Sequence, residues 1–181
     1  MFLMINLDPT AHLIPPINDQ DHCWEGRQTI VTLVEYGDYT CQQCLQAYPL
    51  IQSIQAQFSE VCFVFRHFPS PRHPASQHAA EAAEAAGVQG KFWEMHDRLM
   101  CQRQIADDAS LIEHAIALRL DINRFLHDMS TDVHVERVLS DYKSGIGNGV
   151  NCTPAFFING FRLIGDWRQS ALQTTIEYLL S

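Results

Sequence analysis

Apolar residues change their spacing several times along this chain, and each change predicts a different element. From Thr29 to Tyr36 (TIVTLVEY) β-branched and aromatic residues dominate, which predicts an interior strand ended by Gly37-Asp38. From Cys41 to Phe58 the period lengthens. Leu45, Tyr48, Ile51, Ile54 and Phe58 recur at steps of three and four and form one helical stripe. Thr40 is the expected N-cap, its hydroxyl facing the open amides of the first turn. Pro49 removes an amide donor and crowds the preceding turn, so a kink is expected there. Val61 to Phe68 is strand-like again and ends in the prolines at 69, 71 and 74.

The spacing then stays helical. Ala75 to Ala86 is Ala/Glu-rich, Lys91 to Met100 carries Phe92, Trp93 and Leu99, and Ser110 to Leu120 and Asn123 to Met129 are shorter helices. A stripe of Val135, Val138, Leu139, Tyr142 and Ile146 follows, and the glycines at 145, 147 and 149 are expected to stop it. After Pro154, the runs Ala155–Ile158 and Phe161–Ile164 are separated only by Asn159-Gly160, a strong signal for a two-residue hairpin. A last helix is expected from about Gln169 to Leu180. Residues 1–26, with Pro9, Pro15 and Pro16 and no clear period, read as an extended lead-in. The order β-α-β, helices, β-β-α describes an α/β domain interrupted by a helical block.

Composition narrows the function classes. Hydrophobic residues make up 46% of 181, enough for a real core. Twelve basic against 21 acidic residues give a formal net charge of -9, which repels nucleic acid and anionic lipid. No run approaches the roughly 18 apolar residues of a membrane helix, so membrane insertion is not expected. The first residues lack a basic, apolar leader, so a chain native from Met1 is expected in the cytoplasm, and a trimmed one in the periplasm.

Of six cysteines, only Cys41 and Cys44 are close in sequence. Cys62, in the run Val-Cys-Phe-Val-Phe, reads as a buried structural thiol, and Cys23 and Cys101 as incidental. Cys41-Gln42-Gln43-Cys44 stands at a strand-to-helix junction. Residues i and i+3 of a first turn share one side, near the Cα separation of about 5.5 Å that a disulfide needs. Unpaired amides and the helix dipole favour a thiolate at Cys41, while Cys44, one turn inside, could resolve a mixed disulfide. A zinc half-site would need a second pair, and His73 and His78 are poorly spaced to supply one, so no metal is expected. A structural disulfide has nothing there to staple.

The run Val34-Glu35-Tyr36-Gly37-Asp38-Tyr39-Thr40-Cys41-Gln42-Gln43-Cys44 resembles the active-site segment of the DsbA-like branch of the thioredoxin superfamily. Gly149-Val150-Asn151-Cys152-Thr153-Pro154 and the following hairpin are similar to its second signature. Phe65-Arg66-His67-Phe68-Pro69 and Gly90-Lys91-Phe92-Trp93-Glu94-Met95-His96 resemble further segments. The likeness spans roughly residues 26 to 180. It implies a thioredoxin fold formed by 27–73 and 149–181, with an all-helical insertion at 74–148. It also implies a cis Pro154 facing the cysteines, a substrate backbone held by Thr153 and Pro154, and contacts from Gln42 and Gln43. Glu35, beneath the cysteines, would relay a proton for Cys44, with a pKa raised by burial.

Two residues depart from the pattern. Gln42-Gln43 replaces the proline-histidine pair of strongly oxidising members, so Cys41 is expected to be less acidic than theirs. Cys152 replaces a glycine and is a candidate third thiol, or simply a tolerated small residue. The function these features imply is thiol–disulfide exchange with protein or peptide thiols and an unidentified redox partner. No cofactor beyond the Cys41/Cys44 couple is expected, though glutathione could be a co-substrate. The alternatives are a glutathione-dependent transferase or isomerase, and a redox-sensing module, since this fold also occurs attached to transporters. The scattered histidines read as surface residues, and Glu81 and Glu84 as a solvated helix face.

Overall fold

The structure, a computed structural model, describes residues 6–24, 28–102 and 107–181. Its strands are β1 (Leu7–His12), β2 (His22–Trp24), β3 (Val31–Gly37), β4 (Val61–His67), β5 (Ala155–Ile158) and β6 (Phe161–Leu163), in one sheet ordered β1-β6-β5-β3-β4-β2. The chain leaves β3 through helix α1 (Gln42–Gln57) and returns as β4, parallel to β3. This is the β-α-β crossover that the hydrophobic pattern predicts. Helices α2 (Pro74–Gly87), α3 (Phe92–Cys101), α4 (Asp108–Ala117), α5 (Ile122–Ser130) and α6 (Val135–Gly147) lie between β4 and β5. A π turn, Trp167–Ala171, leads into α7 (Leu172–Leu179). The architecture is α/β with the thioredoxin order of elements.

Strand alternation divides the core in two. Val31, Leu33, Phe63 and Phe65 point to the face covered by α1, α3 and α7. Val34, Tyr36, Cys62, Val64 and Phe157 point to the other, where Leu13 and Phe68 complete a second cluster against Tyr142 of α6.

Several local expectations differ from what the fold does. The lead-in is part of the sheet: β1 pairs antiparallel with β6, and β2 antiparallel with β4, while residues 1–5 and 25–27 lie outside the described residues. Proline-rich segments with no period still form edge strands when a long-range partner supplies the hydrogen bonds. Arg66 anchors this segment. Its guanidinium is 1% exposed, donates to both carboxylate oxygens of Asp21 at 2.8 Å, and also reaches the carbonyls of Pro15 and Pro16.

Gly145 does not stop α6 but lies within it, where a Cβ would come 2.5 Å from Phe68 Cδ2 and 3.1 Å from Tyr36 Cδ1. The glycine is there for close packing of helix on sheet. Helix α1 is assigned without interruption across Pro49.

Glu81 and Glu84 are 4% and 5% exposed rather than solvated, because α2 is covered by neighbouring helices and by the strand ends. Glu84 accepts from His22 Nε2 at 3.0 Å and from His67 Nε2 at 2.9 Å, with Arg137 Nε at 3.8 Å. His67, His96 and His134 are likewise buried, contrary to a surface reading.

Candidate active site

Cys41 is the N-cap of α1, with extended φ/ψ of -80° and 115°, and no side chain caps the helix. Thr40 does not serve. Its amide and hydroxyl both go to Asp38 Oδ1, at 2.8 and 2.9 Å, so the hydroxyl faces back along the turn. Asp38 Oδ2 accepts from the Ser70 amide at 3.1 Å and ties this turn to the end of β4. The Cys41 amide donates to the Asp38 carbonyl at 3.0 Å, and the Cys41 carbonyl accepts the first helical bond from Leu45 at 3.1 Å. Asp38 therefore shapes the turn that presents Cys41. The Asp-x-Thr spacing is a sequence signal for such a side-chain turn, one that hydrophobic periodicity does not carry.

The helix mouth separates the two sulfurs by environment. Both cysteines are free thiols in the structure. Cys41 is half-buried, and Cys44 is fully buried one turn inside. A hydrogen bond from the Cys44 thiol, with others from the Thr153 side chain and the Cys44 and Gln43 amides, outweighs partial burial and lowers the Cys41 pKa to about 5. Burial, the bond to Cys41 and the neighbouring Glu35 charge push the Cys44 thiol well above its ordinary value. One sulfur is thus ready to ionise at neutral pH while the other keeps its proton.

Glu35 is reached by alternation along β3. It continues the Val31/Leu33 face and so points under α1, where it is 2% exposed. Burial, then the Cys41 negative charge, raise its carboxyl to about 8, against a hydrogen bond with Cys44 that lowers it.

The second segment arrives by strand register. β5 pairs antiparallel with β3, placing Ala155 opposite Tyr36 and Phe156 opposite Glu35. The residues just before β5 therefore lie at the mouth of α1. The Thr153–Pro154 peptide is cis, and the Thr153 carbonyl accepts from Cys41 Sγ at 3.4 Å. Pro154 is buried, Thr153 partly so, and Gln42 and Gln43 are exposed on the first turn. Cys152 is exposed and lines an open groove of about 440 Å³ with Asp38, Pro69, Tyr142 and Thr153.

Behind the pair, the buried Tyr39 hydroxyl meets His96 Nδ1 at 3.1 Å. Burial lowers His96 to about 3, so it is a neutral ring in the core. Nothing in the local pattern announces this pair, because α3 packs here only through the tertiary fold.

Comparison with known proteins bears on the family and the fold. The sequence model of the thioredoxin family matches residues 21–178. The Na(+)/H(+) antiporter NhaA 1 of Salinispora arenicola is 39% identical over 165 residues, covering 91% of this chain and 25% of that protein. The antiporter NhaA of Herminiimonas arsenicoxydans is 34% identical over 167 residues, covering 91% of this chain and 27% of that protein. The chain spans about a quarter of the length of these curated relatives. Among solved structures, a thioredoxin-like oxidoreductase from Silicibacter pomeroyi superposes with a TM-score of 0.79 at 27% identity, covering 89% of this chain and 92% of that one. BdbD from Bacillus subtilis shares the fold, with a TM-score of 0.80 at 20% identity over 91% of this chain and 95% of its own. The chain belongs to the thioredoxin family, and its fold is interrupted by a block of helices between β4 and β5.

Proposed function

We propose that the protein exchanges disulfides with protein or peptide thiols through a mixed disulfide at Cys41. The observation that carries this reading is the contrast between a half-exposed, acidic Cys41 and a buried, protonated Cys44 that hydrogen-bonds to it. In the reducing direction the Cys41 thiolate attacks a substrate disulfide. The Cys41–substrate S–S bond forms, the substrate S–S bond breaks, and the departing thiolate takes a proton from water. The mixed disulfide removes the Cys41 charge that helps keep Glu35 protonated. Glu35 loses its proton, its carboxylate takes the Cys44 proton, and Cys44 attacks Cys41 Sγ, expelling the second substrate thiolate and leaving the Cys41–Cys44 disulfide. Two electrons have passed to the substrate. The oxidising direction runs the same steps backwards.

In this reading the Thr153 and Pro154 backbone holds an extended substrate, and Gln42 and Gln43 contact it beside the sulfurs. Cys152, open in the adjoining groove, is a third thiol that modification could reach. No bound cofactor takes part; a small thiol such as glutathione, or an unidentified redox protein, restores the couple. A second reading is favoured by the antiporter relatives. Joined to a transporter, the same couple would report redox state through Cys41–Cys44 without turning over a substrate.

The experiment is a trap. Cys44→Ser, with Cys41 intact, is incubated with a disulfide peptide and analysed by mass spectrometry. A stable adduct on Cys41 is expected, and its absence overturns the mechanism. Catalytic reduction of insulin by the wild type separates the enzyme from the sensor.

A further inference from the structure

Helices α2, α4 and α5 line an open cavity of about 230 Å³, and none of the residues around the cysteine pair lines it. Its apolar walls include Leu111 of α4 and Phe125, Leu126 and Met129 of α5. Glu81 of α2 also lines it, although that residue is only 4% exposed. A carboxylate withdrawn from water needs a cation or several donors to offset the lost hydration.

Glu84, three residues along the same helix, shows what such a group requires in this protein: two imidazoles and a guanidinium surround it. Glu81 has a very different shell. Gln77 Nε2 donates to its Oε1 at 2.9 Å, and no basic side chain among the described residues pairs with it. Among the described residues, the one basic group on the cavity lining, His78, is turned to Asp108, with Nδ1 2.9 Å from Oδ1. Asp108 and Asp132 add negative charge to the lining, on a chain already at -9. The cavity therefore combines hydrocarbon walls with an acid that lacks a counter-ion.

We propose that this cavity binds a small protonated amine carried on an apolar body, with its ammonium on Glu81 and its hydrocarbon part against Phe125 and Met129. The volume lies below the roughly 300–1,000 Å³ of drug-sized sites, which suits a ligand of about ten non-hydrogen atoms. The site is independent of the cysteine chemistry.

The full chain is titrated with 2-phenylethylamine, with 2-phenylethanol as the neutral probe and phenylacetate as the anion, following the methyl signals of Leu111, Ile112 and Met129 by NMR. Saturable shifts are expected with the amine, binding at least about tenfold weaker with the alcohol, and none with the anion. Glu81→Gln should bring the amine down to the level of the alcohol while insulin reduction stays unchanged. Should that variant fail to fold, Met129→Trp fills the cavity and should abolish binding of the amine. Equal binding of amine and alcohol in the wild type, no saturable shift at millimolar concentration, or shifts confined to residues outside the cavity each overturn the proposal.

Discussion

The Glu35 carboxyl lies beneath the Cys44 thiol and shares a hydrogen bond with it, both shut away from solvent. Its Oε1 is sealed and meets no partner among the described residues. A carboxyl held this way costs folding energy when it ionises, yet it is the group best placed to take a proton from a thiol that water cannot reach. The same pair that serves the proposed chemistry therefore leaves a signature in stability.

Glu35 should make the dithiol protein less stable as the pH rises. Below pH 4.5 folded and unfolded states both hold its proton, and between 4.5 and about 8 only the folded state does. The Glu35 contribution to stability therefore falls across that window and levels off above it. Glu35→Gln should gain on the wild type by up to about 4 kcal/mol between pH 5 and pH 8, in denaturant melts under reducing conditions. Parallel curves for the two proteins would rule out a buried, proton-holding Glu35.

Cys41 contributes the opposite slope. Its folded value of about 5 lies below the ordinary 9.0, so between these values only the unfolded state keeps the proton and stability rises with pH. Alkylation of Cys41 by iodoacetamide should be half-maximal near pH 5, with Cys44 untouched in the native state. Thr153→Val removes a hydroxyl that stabilises the thiolate and should move the midpoint upward by roughly half to one unit. An unmoved midpoint would mean that the helix mouth alone sets the acidity.

Gly145→Ala tests the packing of α6 on the sheet. Its Cβ would meet the Phe68 ring at 2.5 and 2.6 Å, well inside van der Waals contact. Overpacking of this kind costs about 1–3 kcal/mol, more than the roughly 1 kcal/mol that alanine returns through helix propensity. A lower melting temperature is expected. A higher one would show that Phe68 swings aside freely.

Asp21→Ala leaves the Arg66 guanidinium buried beside carbonyls but without its carboxylate. Removing one partner of a buried pair costs about 3–5 kcal/mol. Amide exchange should accelerate in β2 and around Pro15–Asp21, while the Cys41 alkylation profile stays put. If stability falls by less than about 1 kcal/mol, the pair is not what holds the lead-in.

Much of the site is legible because its signals are local. A strand, a glycine-aspartate break, a cysteine pair one turn apart and an amphipathic stripe place Cys41 and Cys44 at a helix mouth without any tertiary information. The Asn159-Gly160 hairpin is equally local, since Asn159 and Gly160 both take positive φ in the structure. Glu35 is half legible: its place on a strand can be read, but which face that strand buries cannot.

What local spacing determined is therefore the class of elements, their order, and the two sulfurs with their separation. Only the tertiary structure decided that Asp38, rather than Thr40, organises the turn, through a bond to Ser70 32 residues away. Only it enlisted the lead-in as edge strands around Arg66, and turned Glu81 and Glu84 of one helix to opposite fates, one neutralised and one not. Periodicity reports which residues share a face of one element. Burial, counter-ions and pKa depend on what other elements bring to that face, and those arrive from distant parts of the chain.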